Sequence, residues 1–121
     1  MKKNRILLVD DDEVMLKTFQ LILEEEGYLV ETSTNGQNAI DKVNKNNFNL
    51  IILDIVLPDV RGDEIAKKIK RISRSSKIIF ITGYSKFKKE DSLDVNFKTN
   101  IILKPLTVKE LKKVIKKELP L

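Results

Sequence analysis

The chain has 121 residues, of which 41% are hydrophobic and 34% charged, and its net charge is +5. This length and balance fit one globular domain, and we expect residues 1–121 to form it. Cysteine and histidine are both absent, which excludes disulfides, thiolate or imidazole metal ligands and a histidine base. A bound metal must therefore be a hard, oxygen-ligated ion, and Mg²⁺ is the favoured choice.

The sequence favours a cytoplasmic protein with no membrane partner. Its basic N-terminus precedes an apolar run that is too short for a secretion signal, and no run reaches the length of a membrane span. The last predicted helix carries lysines at helical spacing, namely Lys109, Lys112, Lys113, Lys116 and Lys117. This stripe fits a solvated surface or an acidic protein partner, and without a reader motif we expect no direct nucleic-acid contact.

Five short apolar runs alternate with amphipathic segments, a pattern that predicts repeated βα units and a parallel sheet. The predicted strands lie near residues 5–9, 28–33, 49–53, 77–82 and 100–103. The runs 50–53 and 78–81 are apolar throughout, which is typical of strands covered on both faces. The more polar strand at 28–33 is expected at a sheet edge.

Four helices are predicted near 13–26, 36–46, 63–72 and 107–118. The expected buried residues are Met15, Phe19, Ile22 and Leu23 in the first helix, Ala39, Ile40 and Val43 in the second, Ile65, Ile69 and Ile72 in the third, and Val108, Leu111 and Ile115 in the last. Asp12, Asp63 and Thr107 are expected N-caps, and Gly27 is expected to end the first helix. Segment 83–99 fits neither period, and only the topology predicts a helix there.

Polar residues follow four of the predicted strands at the point where each strand ends. They are Asp10, Asp11 and Asp12 after the first, Asp54 after the third, Thr82 in the fourth and Lys104 after the fifth. The carboxyl ends of parallel strands meet at one sheet edge, where ligands bind, so we expect these groups to converge. Two carboxylates 4 Å apart repel by about 4 kcal/mol at an effective dielectric near 20. Such a cluster indicates a bound cation, a shared proton or a neutralising lysine.

Each of these residues also has a purely structural interpretation. Capping explains Asp12 well but Asp10 and Asp11 poorly, because acids at two neighbouring strand ends repel. Asp54 could be a cap, yet the Pro-Gly loop over 57–62 is expected to leave its carboxylate partly open to solvent. Lys104 could be a surface lysine, but the following proline fixes it at a strand end, and the Lys-Pro peptide could be cis.

This set of groups fits phosphoryl transfer to a carboxylate. Two acids would hold a cation, while the cation and the ammonium neutralise phosphoryl oxygens and the hydroxyl binds one of them. The remaining carboxylate would attack phosphorus.

Along essentially its whole length the chain resembles the receiver domain of two-component response regulators. The residues that carry the resemblance are Leu8–Asp12, Asp54–Pro58 with Gly62, Ile81–Gly83 and Leu103–Pro105. The resemblance implies an α/β fold, a flavodoxin-like, doubly wound (βα)₅ parallel sheet with strand order 2-1-3-4-5. Such a domain is not an ordinary enzyme. It is a phosphoacceptor that assists its own phosphorylation and dephosphorylation and then changes its affinity for a partner.

The resemblance also implies roles for individual residues. Asp54 would accept the phosphoryl group from a histidine kinase, a phosphorelay protein or a small acyl phosphate. Mg²⁺ would be held by Asp11, Asp54 and the backbone carbonyl of Val56, with Asp10 acting mostly through water. Lys104 would pair with a phosphoryl oxygen.

In the same family a threonine at the position of Thr82 swings toward the phosphoryl group. The aromatic residue that usually moves with it is replaced here by Ile101. The output would be a downstream protein or an attached domain. The kinase is expected to dock on residues that border the site: Val14, Leu16, Thr18, Pro105 and Leu106.

Two alternatives remain open at this point. The Asp10-x-Asp12 pair resembles the first motif of haloacid-dehalogenase-like phosphatases, in which Asp10 would be the nucleophile and Thr82 and Lys104 would assist. That family needs a further acidic motif after the lysine, and it leaves Asp54 unexplained. The second alternative is a receiver-shaped scaffold that works without phosphorylation, for which Ile101 is the argument.

Overall fold

The computed structural model describes residues 3–83 and 101–119. Its elements are β1 Arg5–Val9, α1 Glu13–Glu25, β2 Leu29–Ser33, α2 Gly36–Lys45, β3 Leu50–Asp54, α3 Gly62–Ile72, β4 Lys77–Gly83, β5 Ile101–Lys104 and α4 Val108–Glu118. Every predicted strand and the four bounded helices are present, with ends within one residue of the prediction. Of the helix predicted at 83–99, Gly83 instead ends β4, and the rest lies outside the described residues.

The five strands form one parallel sheet in the order β2-β1-β3-β4-β5. The doubly wound fold and the strand order are therefore confirmed, and β2 lies at an edge as predicted. The chain leaves β1 toward β2 on one side and returns to β3 on the other. The topological switch point thus lies between β1 and β3, where crevices form in such sheets.

Apolar side chains fill both faces of the sheet. On one face Leu7 and Val9 pack in a cluster with α2 and α3, and on the other Ile6 and Leu8 pack in a cluster with α1 and α4. This alternation buries the central strands on both sides, as their continuous apolar runs predicted. Among the described residues, none of the helices is long and apolar enough to cross a lipid bilayer.

Three of the four predicted helix ends are confirmed. Asp12 accepts a hydrogen bond from the Met15 amide at 3.1 Å, and Thr107 caps α4 in the same way. Gly27 follows the end of α1 with a φ of 98°, a left-handed conformation that glycine adopts without strain.

The prediction that Asp63 caps α3 is wrong. The N-cap position belongs to Arg61, because the helix already begins at Gly62. Asp63 lies inside the first turn, is buried, and accepts a hydrogen bond from Arg61 Nε at 2.9 Å. The acid is still favourable there, because the positive end of the helix dipole attracts it.

Several predicted buried residues are corrected by the structure. Leu16 was assigned to the exposed side of α1, but it is only 3% exposed, whereas Met15 and Ile22 are only partly buried. Phe19 and Leu23 are buried as predicted, so the buried stripe of α1 differs from the prediction in including Leu16 and in leaving Met15 and Ile22 only partly buried. Ile72 and Val108 are 43% and 38% exposed because each is the terminal residue of its helix.

The loop from Ile55 to Arg61 folds back on the end of β3. The Gly62 amide donates to the Ile55 carbonyl at 2.6 Å, and Val56 pairs with Arg61 in an antiparallel bridge. A Cβ added to Gly62 would lie 2.1 Å from the Asp54 carbonyl oxygen. Glycine is required here because this backbone contact leaves no room for a side chain.

We expect Gly62→Ala to lower the free energy of unfolding by about 3 kcal/mol, since the added methyl group meets rigid backbone. Urea denaturation would measure the loss. Gly83→Ala is the matched control, because a Cβ there meets no heavy atom of the described residues within 4 Å. Equal denaturation midpoints for the two variants would contradict this account of the loop.

Candidate functional site

Three carboxylates lie together at the switch point of the sheet. Asp10 directly follows β1 and Asp54 ends β3, and both side chains are buried, whereas Asp11 is exposed. One carboxylate oxygen from each residue lies within 4.8 Å of the others. Hard oxygen donors at this spacing fit the ligand set that Mg²⁺ prefers.

Asp54 is more deeply buried than the sequence indicated. The loop after β3 was expected to leave it partly open to solvent, but its relative exposure is 0%. The expectation is wrong because the loop folds back on the strand end. The Val56 amide donates to Asp54 Oδ1 at 3.0 Å, and Lys104 Nζ donates to Oδ2 at 3.3 Å.

The ammonium group of Lys104 bridges two of the carboxylates. Its Nζ lies 2.5 Å from Asp10 Oδ2 and 3.3 Å from Asp54 Oδ2. Burial by itself lowers the pKa of Lys104, but the hydrogen bond to Asp10 and the charges of both acids outweigh it, so the pKa is raised. Lys104 is therefore protonated at neutral pH and neutralises part of the acidic cluster.

The ion pair with Lys104 offsets only part of the cost of burying the Asp10 carboxylate, and the pKa of Asp10 is raised. Its burial is the largest effect and raises its pKa, and the charge of Asp54 acts in the same direction. The hydrogen bond from Lys104 and that from the Asp12 amide, 2.9 Å from Oδ1, offset only part of the rise. A divalent cation at this position would relieve the remaining repulsion, because it would favour the ionised carboxylates.

Thr82 lies at the end of β4, on the far side of β3 from Asp10. It is completely buried, and its hydroxyl oxygen has no hydrogen-bond partner among the described residues. Leaving such a group unpaired costs about 1–3 kcal/mol. A buried hydroxyl with no partner among the described residues is available to donate to a bound group.

A groove opens beside the acidic cluster, between α1 and the start of the loop after β5. It has a volume of about 690 Å³, and its lining includes Met15, Phe19, Pro105 and Leu106 as well as Lys104. Lys104 and Pro105, which both line the groove, are joined by a cis peptide bond. Apolar walls beside a charged group suit a partner side chain or helix.

Part of the predicted kinase-docking surface lines this groove and part does not. Thr18, Pro105 and Leu106 are lining residues. Val14 is 77% exposed and is not among the residues that line it. The assignment of Leu16 to this surface is wrong, because its side chain belongs to the core cluster beneath α1.

Asp59 was not recognised as part of the site from the sequence. Its carboxylate accepts hydrogen bonds from the amides of Gly36 and Gln37 and so connects the loop after β3 to α2. The Pro-Asp pair signals a turn in the sequence. It carries no information about a contact with residues more than twenty positions away.

Comparison with known proteins agrees with this arrangement. A family model described as the response regulator receiver domain matches residues 6–116. The response regulator receiver protein CpdR of Brucella abortus is 33% identical over 115 residues, which cover 95% of this chain and 96% of that protein. The response regulator ArlR of Staphylococcus aureus is 37% identical over 108 residues, which cover 88% of this chain and 48% of that protein. The chain thus spans about half the length of ArlR.

Solved structures give the same result. The response regulator protein TrrA of Thermotoga maritima, solved in complex with Mg(2+)-BeF, is 35% identical with a TM-score of 0.82. The match covers 96% of this chain and 99% of that one. The similarity therefore extends over almost the whole chain.

The raised pKa of Asp10 makes the stability of the metal-free protein depend on pH. Between the ordinary aspartate pKa of about 3.9 and the raised folded value, the folded state binds more protons than the unfolded state. The free energy of unfolding therefore falls as pH rises through this window. We expect Asp10→Asn to gain about 1 kcal/mol at pH 7 without divalent ions, and the gain to shrink toward pH 4.

Urea denaturation at several pH values in chelator would measure this difference. Asp41→Asn is the control, since Asp41 is exposed on α2 and should show no gain. An Asp10→Asn variant less stable than the parent at pH 7 would refute the assigned cause.

Proposed function

Because the chain belongs to the response regulator receiver family, we propose that residues 1–121 form a receiver domain in which Asp54 accepts a phosphoryl group. The donor is the phosphohistidine of a sensor kinase or phosphotransfer protein, or a small acyl phosphate. The observation that carries this assignment is the position of Asp54. It is the one carboxylate of the three that both ends a central strand and contacts Lys104 and the Val56 amide.

Mg²⁺ is the cofactor of the proposed reaction. Asp11, Asp54 and the Val56 carbonyl would hold it, with Asp10 acting mostly through water. The donor set supports this choice, because three carboxylates with oxygens within 4.8 Å of one another offer only hard oxygen ligands. When bound, the ion supplies positive charge to the phosphoryl oxygens.

Asp54 acts as the nucleophile in this proposal. One of its carboxylate oxygens forms a bond to phosphorus while the bond from phosphorus to the donor nitrogen or oxygen breaks, and the donor leaves as imidazole or carboxylate. The Val56 amide donates to Oδ1 and fixes the plane of the carboxylate. Burial excludes competing water from the reacting oxygen.

Lys104 and Thr82 stabilise the phosphoryl group in this proposal. The Lys104 ammonium is already beside Asp54 and exchanges part of its contact with the carboxylates for a phosphoryl oxygen. The Thr82 hydroxyl donates to another phosphoryl oxygen, which would provide the partner that it lacks among the described residues. The chain thus assists its own modification and does not turn over an external substrate.

A helix of the donor protein docks in the groove beside Lys104, where the apolar residues Met15, Phe19 and Leu106 provide contact area. The modified domain then changes its affinity for a downstream protein or an attached domain. The lengths of the relatives are compatible with both forms of output, since the chain covers 96% of CpdR but 48% of ArlR. The proposed location is the cytoplasm, and neither nucleic acid nor membrane is a direct partner of this domain.

Replacing Asp54 by alanine should abolish labelling by radiolabelled acetyl phosphate and Mg²⁺, since within residues 3–83 and 101–119 no other carboxylate combines burial with the Lys104 and Val56 contacts. Autoradiography after gel electrophoresis would measure the label. Asp41→Asn, an exposed change on α2, should be labelled like the parent. Equal labelling of Asp54→Ala and the parent would overturn the proposed function.

Thr82→Val should separate the chemical role of the hydroxyl from its structural cost. The variant should be as stable as the parent or more stable by about 1 kcal/mol, because it removes a buried hydroxyl that has no hydrogen-bond partner in the part of the chain that the structure describes. Its initial rate of labelling by acetyl phosphate should fall by about tenfold to a hundredfold. Thr82→Ser keeps the hydroxyl and should label close to the parental rate. Parental labelling by Thr82→Val would contradict the role assigned to Thr82.

A further inference from the structure

The carboxylate of Asp59 connects the loop after β3 to the start of α2. Its Oδ1 accepts from the Gly36 amide at 2.9 Å, and its Oδ2 accepts from the Gln37 amide at 3.0 Å. Oδ1 also accepts from the Val60 amide at 3.0 Å, within the loop itself. Both oxygens are thus used, and two of the three donors belong to another element of the fold.

These donors are groups that helix geometry leaves without partners. The first amides of a helix have no intrahelical acceptor and form its partially positive end. In α2 the Asn38 amide is capped by Asn35 Oδ1 at 2.8 Å, while Asp59 takes the Gly36 and Gln37 amides. The hydrogen bond from Gly36 is the largest cause that lowers the pKa of Asp59, so its carboxylate is charged at neutral pH.

The helices approach each other closely at this contact. A Cβ added to Gly36 would lie 2.7 Å from Ile65 Cδ1 on α3 and 3.4 Å from Asp59 Oδ1. Three segments therefore pack closely together here: the start of α2, the first turns of α3 and the loop that leads into α3. Because the Asp59 carboxylate is hydrogen-bonded within this packed region, it restricts the backbone of its own loop.

The same loop carries the Val56 backbone and ends at Gly62. Two of its contacts, the Gly62 amide to the Ile55 carbonyl and the bridge from Val56 to Arg61, are internal to the segment. Ile55 and Leu57 also anchor the loop, because both are buried in the cluster with α2 and α3. The Asp59 carboxylate adds hydrogen bonds from the loop to the backbone of α2. Pro58 lies between Val56 and Asp59 and restricts the chain, so a shift at Asp59 is passed on to Val56.

We propose that Asp59 is a positioning residue for the metal site, which holds the Val56 carbonyl in place by tying its loop to the start of α2. This inference rests on the proposed function, in which that carbonyl is a ligand of Mg²⁺. A carbonyl ligand has no rotamer of its own, so its position depends wholly on the loop backbone. Asp59 itself does not belong to the carboxylate cluster of Asp10, Asp11 and Asp54.

Isothermal titration of the unphosphorylated chain with MgCl₂ tests the proposal. We expect Asp59→Ala to raise the Kd for Mg²⁺ about tenfold, the lower end of what loss of an outer-sphere contact costs. Asp59→Asn keeps one acceptor oxygen for Gly36 but turns an NH₂ group toward another donor. Its Kd should lie between those of the parent and Asp59→Ala.

The control variant is Asp41→Asn, which removes a carboxylate from the exposed side of α2 that accepts a hydrogen bond from the Gln37 side chain. Its Kd should equal that of the parent, which separates positioning from loss of negative charge. Urea denaturation in chelator shows whether each variant is folded. If Asp59→Ala does not fold, Asp59→Asn decides the question.

The outcomes are distinguishable. A parent that binds Mg²⁺ with the same Kd as the folded Asp59 variants overturns the positioning role, even if those variants are less stable, and leaves the proposed function untouched. A parent that binds no Mg²⁺ overturns both the metal assignment in the proposed function and this inference. A graded rise in Kd from the parent through Asp59→Asn to Asp59→Ala, with Asp41→Asn unchanged, supports the role.

Discussion

The ion pairs between Lys104 and the carboxylates of Asp10 and Asp54 are the constraint on which the rest of the site depends. Two carboxylates are buried at adjacent strand ends, and the Lys104 ammonium at the end of a third strand contacts both. An unpaired buried charge costs several kcal/mol, so the acids are tolerable only because β5 delivers this cation to them. The parallel sheet makes this possible, because the carboxyl ends of β1, β3 and β5 all lie at one edge of the sheet. The long Lys104 side chain reaches from β5 past β4 to the two acids.

A second constraint acts through the loop after β3. The strand ends fix Asp10, Asp54 and Lys104 on rigid elements, whereas the Val56 backbone belongs to an irregular segment. Close backbone contact at Gly62 and the Asp59 bonds to α2 replace the hydrogen bonds that a regular element would supply. The site therefore combines side chains held by the sheet with a backbone group held by a loop.

Local sequence patterns were sufficient to predict the helices, the strands and the acidic residues at the strand ends, because apolar runs and strand ends are visible in short stretches of sequence. Properties that depend on distant contacts could not be predicted in this way. Asp54 is buried because the loop after β3 folds back on the strand end. Asp59 connects this loop to α2 because the first amides of α2 lie beside its carboxylate. The strand order itself came from the resemblance to receivers. Leu16 was misplaced because it lies three and seven positions before Phe19 and Leu23, a spacing that shares their helix face as well as the spacing of Met15 does, so periodicity alone did not separate the two.

The most direct test of the central claim is to locate the phosphoryl group on the parent chain, which carries no substitution. Borohydride reduces an acyl phosphate on an aspartate to homoserine, which tandem mass spectrometry of a proteolytic digest can place in the chain. After treatment with acetyl phosphate and Mg²⁺, the account predicts homoserine at position 54 and nowhere else. Homoserine at position 10 would contradict it, because Asp10 would then be the nucleophile, as in a haloacid-dehalogenase-like phosphatase.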